Sequence, residues 1–316
     1  MVTYMPLEHA SRTVNKNVEN LLNRCSFLTL TNNDLALPHS KGTGLPLIAV
    51  ETPNCKALIA IQGAQLLSFC AKDGKPLLWI SPNCDFTHGV ALRGGIPVCL
   101  PWFGPNPLDT QKPKHGFARN RDWQFSDATL LLNGNVQLIF TFASTSNSLF
   151  GFDFTSQLVM TLGVSIKLEI SISNIDKTPF DCSWALHSYH PVNSLSEARV
   201  KGLIGRTYLD NLENYATKTQ HDDVSFLGGV DRVFPAIENA VEILGSPHIA
   251  ITHHNCPSVV VWNPGPINAA KIADIGAGNE KAYICVERGA VLSEKWKLSA
   301  GETQSAWIEI TEIKQI

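Results

Sequence analysis

The chain has 316 residues, of which 44% are hydrophobic and 17% charged, with a formal net charge of −3. That composition belongs to a folded protein with ample material for a core. So small a net charge excludes a broad electrostatic surface for nucleic acid or acidic lipid, and any basic cluster must be local and serve a small anion.

No stretch approaches the ~18 apolar residues of a membrane span, and the opening residues lack the basic and apolar regions of a secretory signal. Cysteines 25, 55, 70, 84, 99, 182, 256 and 285 are scattered with no CxxC pair. Several sit in apolar runs, which suits reduced thiols used as small hydrophobes and leads us to expect a cytosolic location.

In chain order, Val14, Val18, Leu21, Leu22 and Cys25 recur at helical spacing and predict a short amphipathic helix. From Asn32 to Pro46 the residues are rich in Asn, Gly, Pro and Ser and predict a linker or surface loop. Beyond it the period becomes two. Lys56–Ala71 reads as strand; Val136, Leu138, Phe140 and Phe142 alternate with polar neighbours; and from Val164 to Asn174 the residues Val164, Ile166, Leu168, Ile170 and Ile172 share one face. Ser258–Trp262, Lys281–Glu287 and Ala306–Ile313 add further strands, punctuated by turn signals such as Asp73-Gly74, Asn133-Gly134 and Asn263-Pro264-Gly265. Long capped helices and internal repeats are missing. The expectation is an all-β fold, a large antiparallel β-sandwich with few short helices: residues 1–45 form an N-terminal extension, and residues 46–316 a single sandwich domain.

Two segments put one proton-transferring group each into an apolar strand, where an isolated ionisable side chain is costly to bury. His187 lies in WALHSYHPV and Glu287 in ICVERGAV. If the strands bring them to one pocket, they form a general acid and a general base. Locally, His187 also reads as a core histidine, and Glu287 as a partner of Arg288. The spacing of His187 and His190 occurs in metal sites, but residues three apart on a strand face opposite ways, and no third ligand completes a set. No metal and no cofactor is expected.

RGGIPVCLPWFGP, from Arg93 to Pro105, joins an arginine to two glycines that allow close backbone approach and prolines that stiffen a loop. KHGFARNRDW carries Lys114, His115, Arg119 and Arg121 around a glycine, a cluster suited to a phosphate. Solvated side chains, or pairing with Asp122 or Asp127, would explain these basic residues equally well. Asp231, after a Gly pair, reads as an acceptor for hydroxyls or as a partner of Arg232.

Taken in order, RGG-P-PWFG, HGFAR, ALH-x-Y, G-x-x-DR, VWNP and CVE make this sequence resemble the hexose-6-phosphate mutarotases, the phosphosugar branch of the aldose 1-epimerase (galactose mutarotase-like) superfamily. The resemblance spans Pro46 to the C-terminus. It implies a β-supersandwich and cofactor-free interconversion of the α and β anomers of glucose 6-phosphate and related sugars. It further implies that His187 and Glu287 are catalytic, that Arg93 and Arg119 hold the phosphate, and that Lys114, His115 and Asp231 contact substrate. The implied partner is a small phosphosugar, and the expected state is a monomer.

In this sequence Arg288 follows the glutamate where relatives generally have proline, His190 replaces a phenylalanine, Lys114 a glutamine and Val230 a threonine. Arg288 is expected to point away from the pocket. Burial of His187 beside Glu287 is expected to raise the histidine pKa and keep both groups charged. Two other readings stay open: an aldose 1-epimerase acting on unphosphorylated sugars, and a non-catalytic carbohydrate-binding module.

Overall fold

In a computed structural model, residues 16–106 and 108–314 are described. Two large sheets carry the architecture. The nine-stranded sheet runs, in spatial order, through Val224–Ser225, Arg199–Lys201, Val241–Leu244, Ile249–His254, Thr303–Glu312, Ile166–Asn174, Phe154–Leu162, Val136–Ser144 and Gln124–Leu130. The eight-stranded sheet runs through Ala216–Thr219, Thr207–Asp210, Val230–Phe234, Ser258–Asn263, Tyr283–Ala290, Trp184–Leu186 and Val98–Cys99, with Tyr189–Pro191 also pairing along Tyr283–Ala290. Neighbouring strands pair antiparallel, as in Ser258–Asn263 against Tyr283–Ala290 and Phe154–Leu162 against Ile166–Asn174.

Period-two patterning explains the sandwich. Ile166, Leu168, Ile170 and Ile172 are buried while Lys167, Ser171 and Ser173 are half-exposed. These side chains share one core with Val136, Leu138 and Phe140 of the same sheet and with Val259, Val261, Ile284 and Val286 of the other. Each fully buried aliphatic side chain contributes roughly 1.5–3 kcal/mol. Val164 does not belong to the series: it is 69% exposed, ahead of a strand that begins at Ile166.

Other boundaries also shift. Lys56–Ala71 is two strands, Cys55–Ala60 and Gln65–Ala71, separated by a turn with positive φ at Gly63 and Ala64. The apolar run ending at Glu287 starts at Tyr283, after a 3₁₀ turn, and continues to Ala290. The first helix spans Lys16–Arg24, and Val18, Leu22 and Cys25 join the core; Val14 lies outside the described residues.

The stretch from Asn32 to Pro46 is not simply a loop. It contains the helix Asn33–Ala36, and Asn33 is fully buried, accepting from the Leu45 N–H and donating to Ser40 Oγ and Gly42 O. Ahead of it, Leu28–Asn32 pairs with Pro46–Glu51 in a four-stranded sheet completed by the two strands of 55–71. All eight cysteines are free thiols. Among the described residues no helix is long and apolar enough to cross a membrane.

One backbone crossing ties the basic segment to the eight-stranded sheet. Phe117 and Ala118 both donate their N–H to Leu100 O, and Gly116 sits above that carbonyl with φ +70. A Cβ at Gly116 would lie 2.0 Å from Leu100 O. Gly116→Ala is therefore expected to destabilise the protein by at least ~2 kcal/mol, through clash and left-handed strain together. Urea unfolding measures this, and an unchanged midpoint would show that the crossing is not rigid.

Candidate active site

Strand Tyr283–Ala290 pairs with two successive segments, Trp184–Leu186 and Tyr189–Pro191. The pairing breaks between them, at His187 and Ser188. Ser188 Oγ donates to Val286 O at 2.7 Å, holding the break closed, while the His187 N–H is taken by Pro97 O. The register is unchanged across the gap, so His187 lies opposite Glu287, and its Nε2 is 3.4 Å from Glu287 Oε1. The two side chains are 7% and 1% exposed. His187 Nδ1 and Glu287 Oε2 are buried and have no hydrogen-bond partner among the described residues, a costly state that structures keep mainly where a ligand or a reaction uses the group. Tyr189 stacks on the imidazole at 4.8 Å, and Trp262 closes on its edge at 6.0 Å.

The pair lines a cavity of about 710 Å³ together with Arg93, Lys114, His115, Arg119 and Asp231. The seven candidate catalytic and substrate-contacting residues therefore border one space, whereas Arg121 of the basic cluster does not line it. His115 has φ +65, and its ring packs against His187 at 5.6 Å and Phe103 at 4.8 Å. Its Nδ1 accepts from the Gly104 N–H at 3.3 Å, so the neutral ring carries its proton on Nε2. Arg119 donates Nη2 to Lys114 O, and its Nε is buried without a partner among the described residues. Asp231 Oδ2 accepts from Asn211 Nδ2 at 2.7 Å, while Arg232 turns to Gln220 Oε1. Asp122, the neighbour that might have neutralised the basic cluster, faces His88 at 3.1 Å instead.

Arg93 is already engaged. Its Nε donates to Asp274 Oδ2 at 3.0 Å and its Nη1 to Tyr189 OH at 2.9 Å. Neither Asp274 nor Tyr189 stood out in the sequence. Asp274 lies in the polar stretch ADIGAGNEK, which looks like any surface loop, and Tyr189 sits in the ALH-x-Y motif without a distinct local pattern.

The two flanking departures are neutralised by geometry. Arg288 is on the opposite strand face from Glu287 and fully buried, with Nη1 and Nη2 donating to Ile237 O and Asn239 O. Burial brings its pKa down to about 10, so it stays charged near neutrality. His190 is also buried away from the cavity, its ring nitrogens 3.0 Å from Leu77 O and 3.0 Å from Ser188 Oγ.

The charge state expected from sequence needs correction. Burial pulls His187 well below the ordinary histidine pKa, and the nearby cationic Arg119 and Arg93 push it further down. Burial raises Glu287 well above the ordinary carboxyl value, and Asp231 adds to this. Two ionisable groups in so little water favour their neutral forms, because a single Coulomb contact at 3.4 Å does not repay two desolvations. Burial therefore pushes the pair toward imidazole and carboxylic acid, with one proton held between them. His115 is neutral for the same reason, burial first and then Arg119, Arg93 and Lys114.

The sequence profile of the aldose 1-epimerase family matches residues 46–311, which include all of these cavity residues. The chain belongs to the aldose 1-epimerase family. Among relatives of this family member, a protein of Salmonella typhimurium named "Putative glucose-6-phosphate 1-epimerase" is 34% identical over 249 residues, 77% of this chain and 82% of its own. One of the same name from Cenchrus ciliaris is 34% identical over 75% of this chain and 76% of its own. The crystal structure of a candidate mutarotase from Salmonella typhimurium superposes with TM-score 0.79 at 31% identity, covering 86% of this chain and 91% of that one. The HI1317 crystal structure superposes with TM-score 0.74 at 26% identity, over 91% and 96% of the two chains.

The neutral-pair assignment has a measurable consequence for this epimerase-family fold. A carboxyl whose folded pKa is raised favours the folded state below its unfolded pKa and loses that contribution as pH rises toward the folded value. Glu287→Gln removes the titration, so its stability relative to the native chain should grow from pH 4.5 to pH 8. Thermal unfolding across that range checks this; a gap that shrinks with rising pH would mean Glu287 is ionised.

Proposed function

We propose that this chain interconverts the α and β anomers of a hexose 6-phosphate, glucose 6-phosphate being the substrate class that fits it best, and that its own side chains carry the reaction. The observation that carries this reading is the buried His187–Glu287 contact of 3.4 Å, with unpartnered Nδ1 and Oε2, in a cavity that also bears basic side chains. Opening a cyclic hemiacetal takes a proton from O1 and delivers one to O5, two oxygens on the same carbon. A pair in contact, holding one proton between its members, can serve both at once.

In the proposed cycle the resting proton moves from Glu287 to His187 when a sugar hydroxyl donates to the carboxylate and the ring oxygen accepts from the imidazolium. Glu287 then takes the O1 proton as His187 gives one to O5. This step returns the pair to carboxylic acid and neutral imidazole, the forms that burial favours. Desolvation thus stabilises the state that accompanies the open aldehyde. Rotation about C1–C2 and reclosure with roles reversed completes the exchange. Each positioned proton transfer contributes ~10²–10⁴-fold.

The phosphate is proposed to lie at the basic wall, held by Arg119 and Lys114 and by the Arg93 amine that Asp274 and Tyr189 leave unbonded. Anchoring that end orients the ring between acid and base, so remote binding energy serves the chemistry. A neutral aldose would give this wall no role, and a binding module would gain nothing from burying two unsatisfied proton-transfer groups.

The test follows α-anomer decay after dissolving α-glucose 6-phosphate or α-glucose. Arg119→Ala should lower kcat/KM on the phosphosugar by ~10–100-fold, the cost of one charge-assisted bond, and change turnover of glucose less than twofold. Equal losses on both sugars would remove the phosphate from the proposal.

A further inference from the structure

The charge on the cavity wall is not where the basic motifs alone suggest. Arg93 is compensated by Asp274 at 3.0 Å, and the pKa shift of Glu287 favours its neutral form. Asp231 is then the remaining carboxylate on the wall, facing Lys114 and Arg119, which have no carboxylate partner among the described residues. With only those two cations the wall carries little net positive charge for a phosphate dianion. One further cation borders the same cavity: Lys271.

Lys271 lies on a segment whose backbone is fixed at both ends. Asn263 Oδ1 accepts from the Gly265 N–H at the start of the helix Gly265–Ala269, and its Nδ2 donates to Glu280 O and Tyr283 O. Ala269 and Ile275 are fully buried, and Asn83 Nδ2 holds Ile275 O at 2.8 Å. Between them the Lys271 N–H donates to Asn268 O and the Ile272 N–H to Ala269 O. Three residues beyond Lys271, Asp274 grips Arg93 across the wall. The backbone is thereby held beside the cavity while the Lys271 ammonium has no ion-pair or hydrogen-bond partner among the described residues. A lysine in that setting is a point charge on a long stem, able to reach an anion without a preset geometry.

We propose that Lys271 is a specificity-determining residue that contacts the phosphate of the sugar, supplying the charge that the Asp274-bound Arg93 does not. This rests on the phosphosugar reading above. In it, Asp274 acts twice: it neutralises Arg93 and holds the segment that presents Lys271. Lys271 takes no part in proton transfer, so its loss separates binding from chemistry.

The experiment compares the native chain with Lys271→Met, Lys271→Arg and Lys271→Glu on glucose 6-phosphate and on glucose, with thermal unfolding of each. Lys271→Met should raise KM for glucose 6-phosphate about tenfold, leave kcat within about twofold, and leave glucose turnover and melting unchanged. Lys271→Arg should restore the native KM, and Lys271→Glu should raise it beyond the Met variant. An unchanged KM in Lys271→Met overturns the role of Lys271 while native phosphosugar turnover stands. Losses shared by both sugars also overturn it, as a structural effect. A native enzyme that turns over glucose but not glucose 6-phosphate overturns both this inference and the reading beneath it.

Discussion

The structure turns on the register of one strand pairing. Two short segments of 184–191 pair with one long strand, and the gap between them falls at His187. The register is the same on both sides, Leu186 opposite Arg288 and Tyr189 opposite Cys285, so His187 falls opposite Glu287 and the two side chains share one face. Ser188 Oγ, donating to Val286 O, holds the strands together there. The surrounding sandwich keeps that contact dry: Tyr189, Trp262 and His115 wall the imidazole, and strand Tyr283–Ala290 is buried along its whole length.

Dryness decides the chemistry that follows. Two charges side by side would be natural in water, but at this depth both groups move toward neutrality. Because the pair shares one proton, its titration belongs to both members rather than to either. The basic groups at the wall reinforce the neutral histidine and stand ready for an anion. On the proposed phosphosugar reading, a phosphate at Arg119 would offset the field that disfavours imidazolium.

Much of this was legible in the sequence, and the exceptions have physical reasons. Alternation in Ile166–Asn174 and Val136–Ser144 announced half-buried strands, because one face of each must meet the core. Val164 misled because an apolar side chain in phase with a strand can still lie in the turn before it. Ile61 to Ala64 are mostly apolar too, and only backbone conformation marks them as a turn. Asn33 looked like loop composition, yet its partners 7 to 12 residues onward bury it. Within the site, motif residues were visible, whereas Asp274 and Lys271 were not: their meaning depends on Arg93, some 181 positions from Asp274. The charge state differs from the sequence expectation because a sequence names a partner but not the water lost in reaching it.

His187 and Glu287, on the proposed reading, act as one proton-sharing unit. A double-mutant cycle with His187→Gln and Glu287→Gln, read as the rate of α-to-β exchange of glucose 6-phosphate, tests this most directly. Either single substitution should remove nearly all catalysis, and the double variant should be scarcely slower than each. Losses that multiply independently would contradict it, for they would mean the two groups act on separate steps.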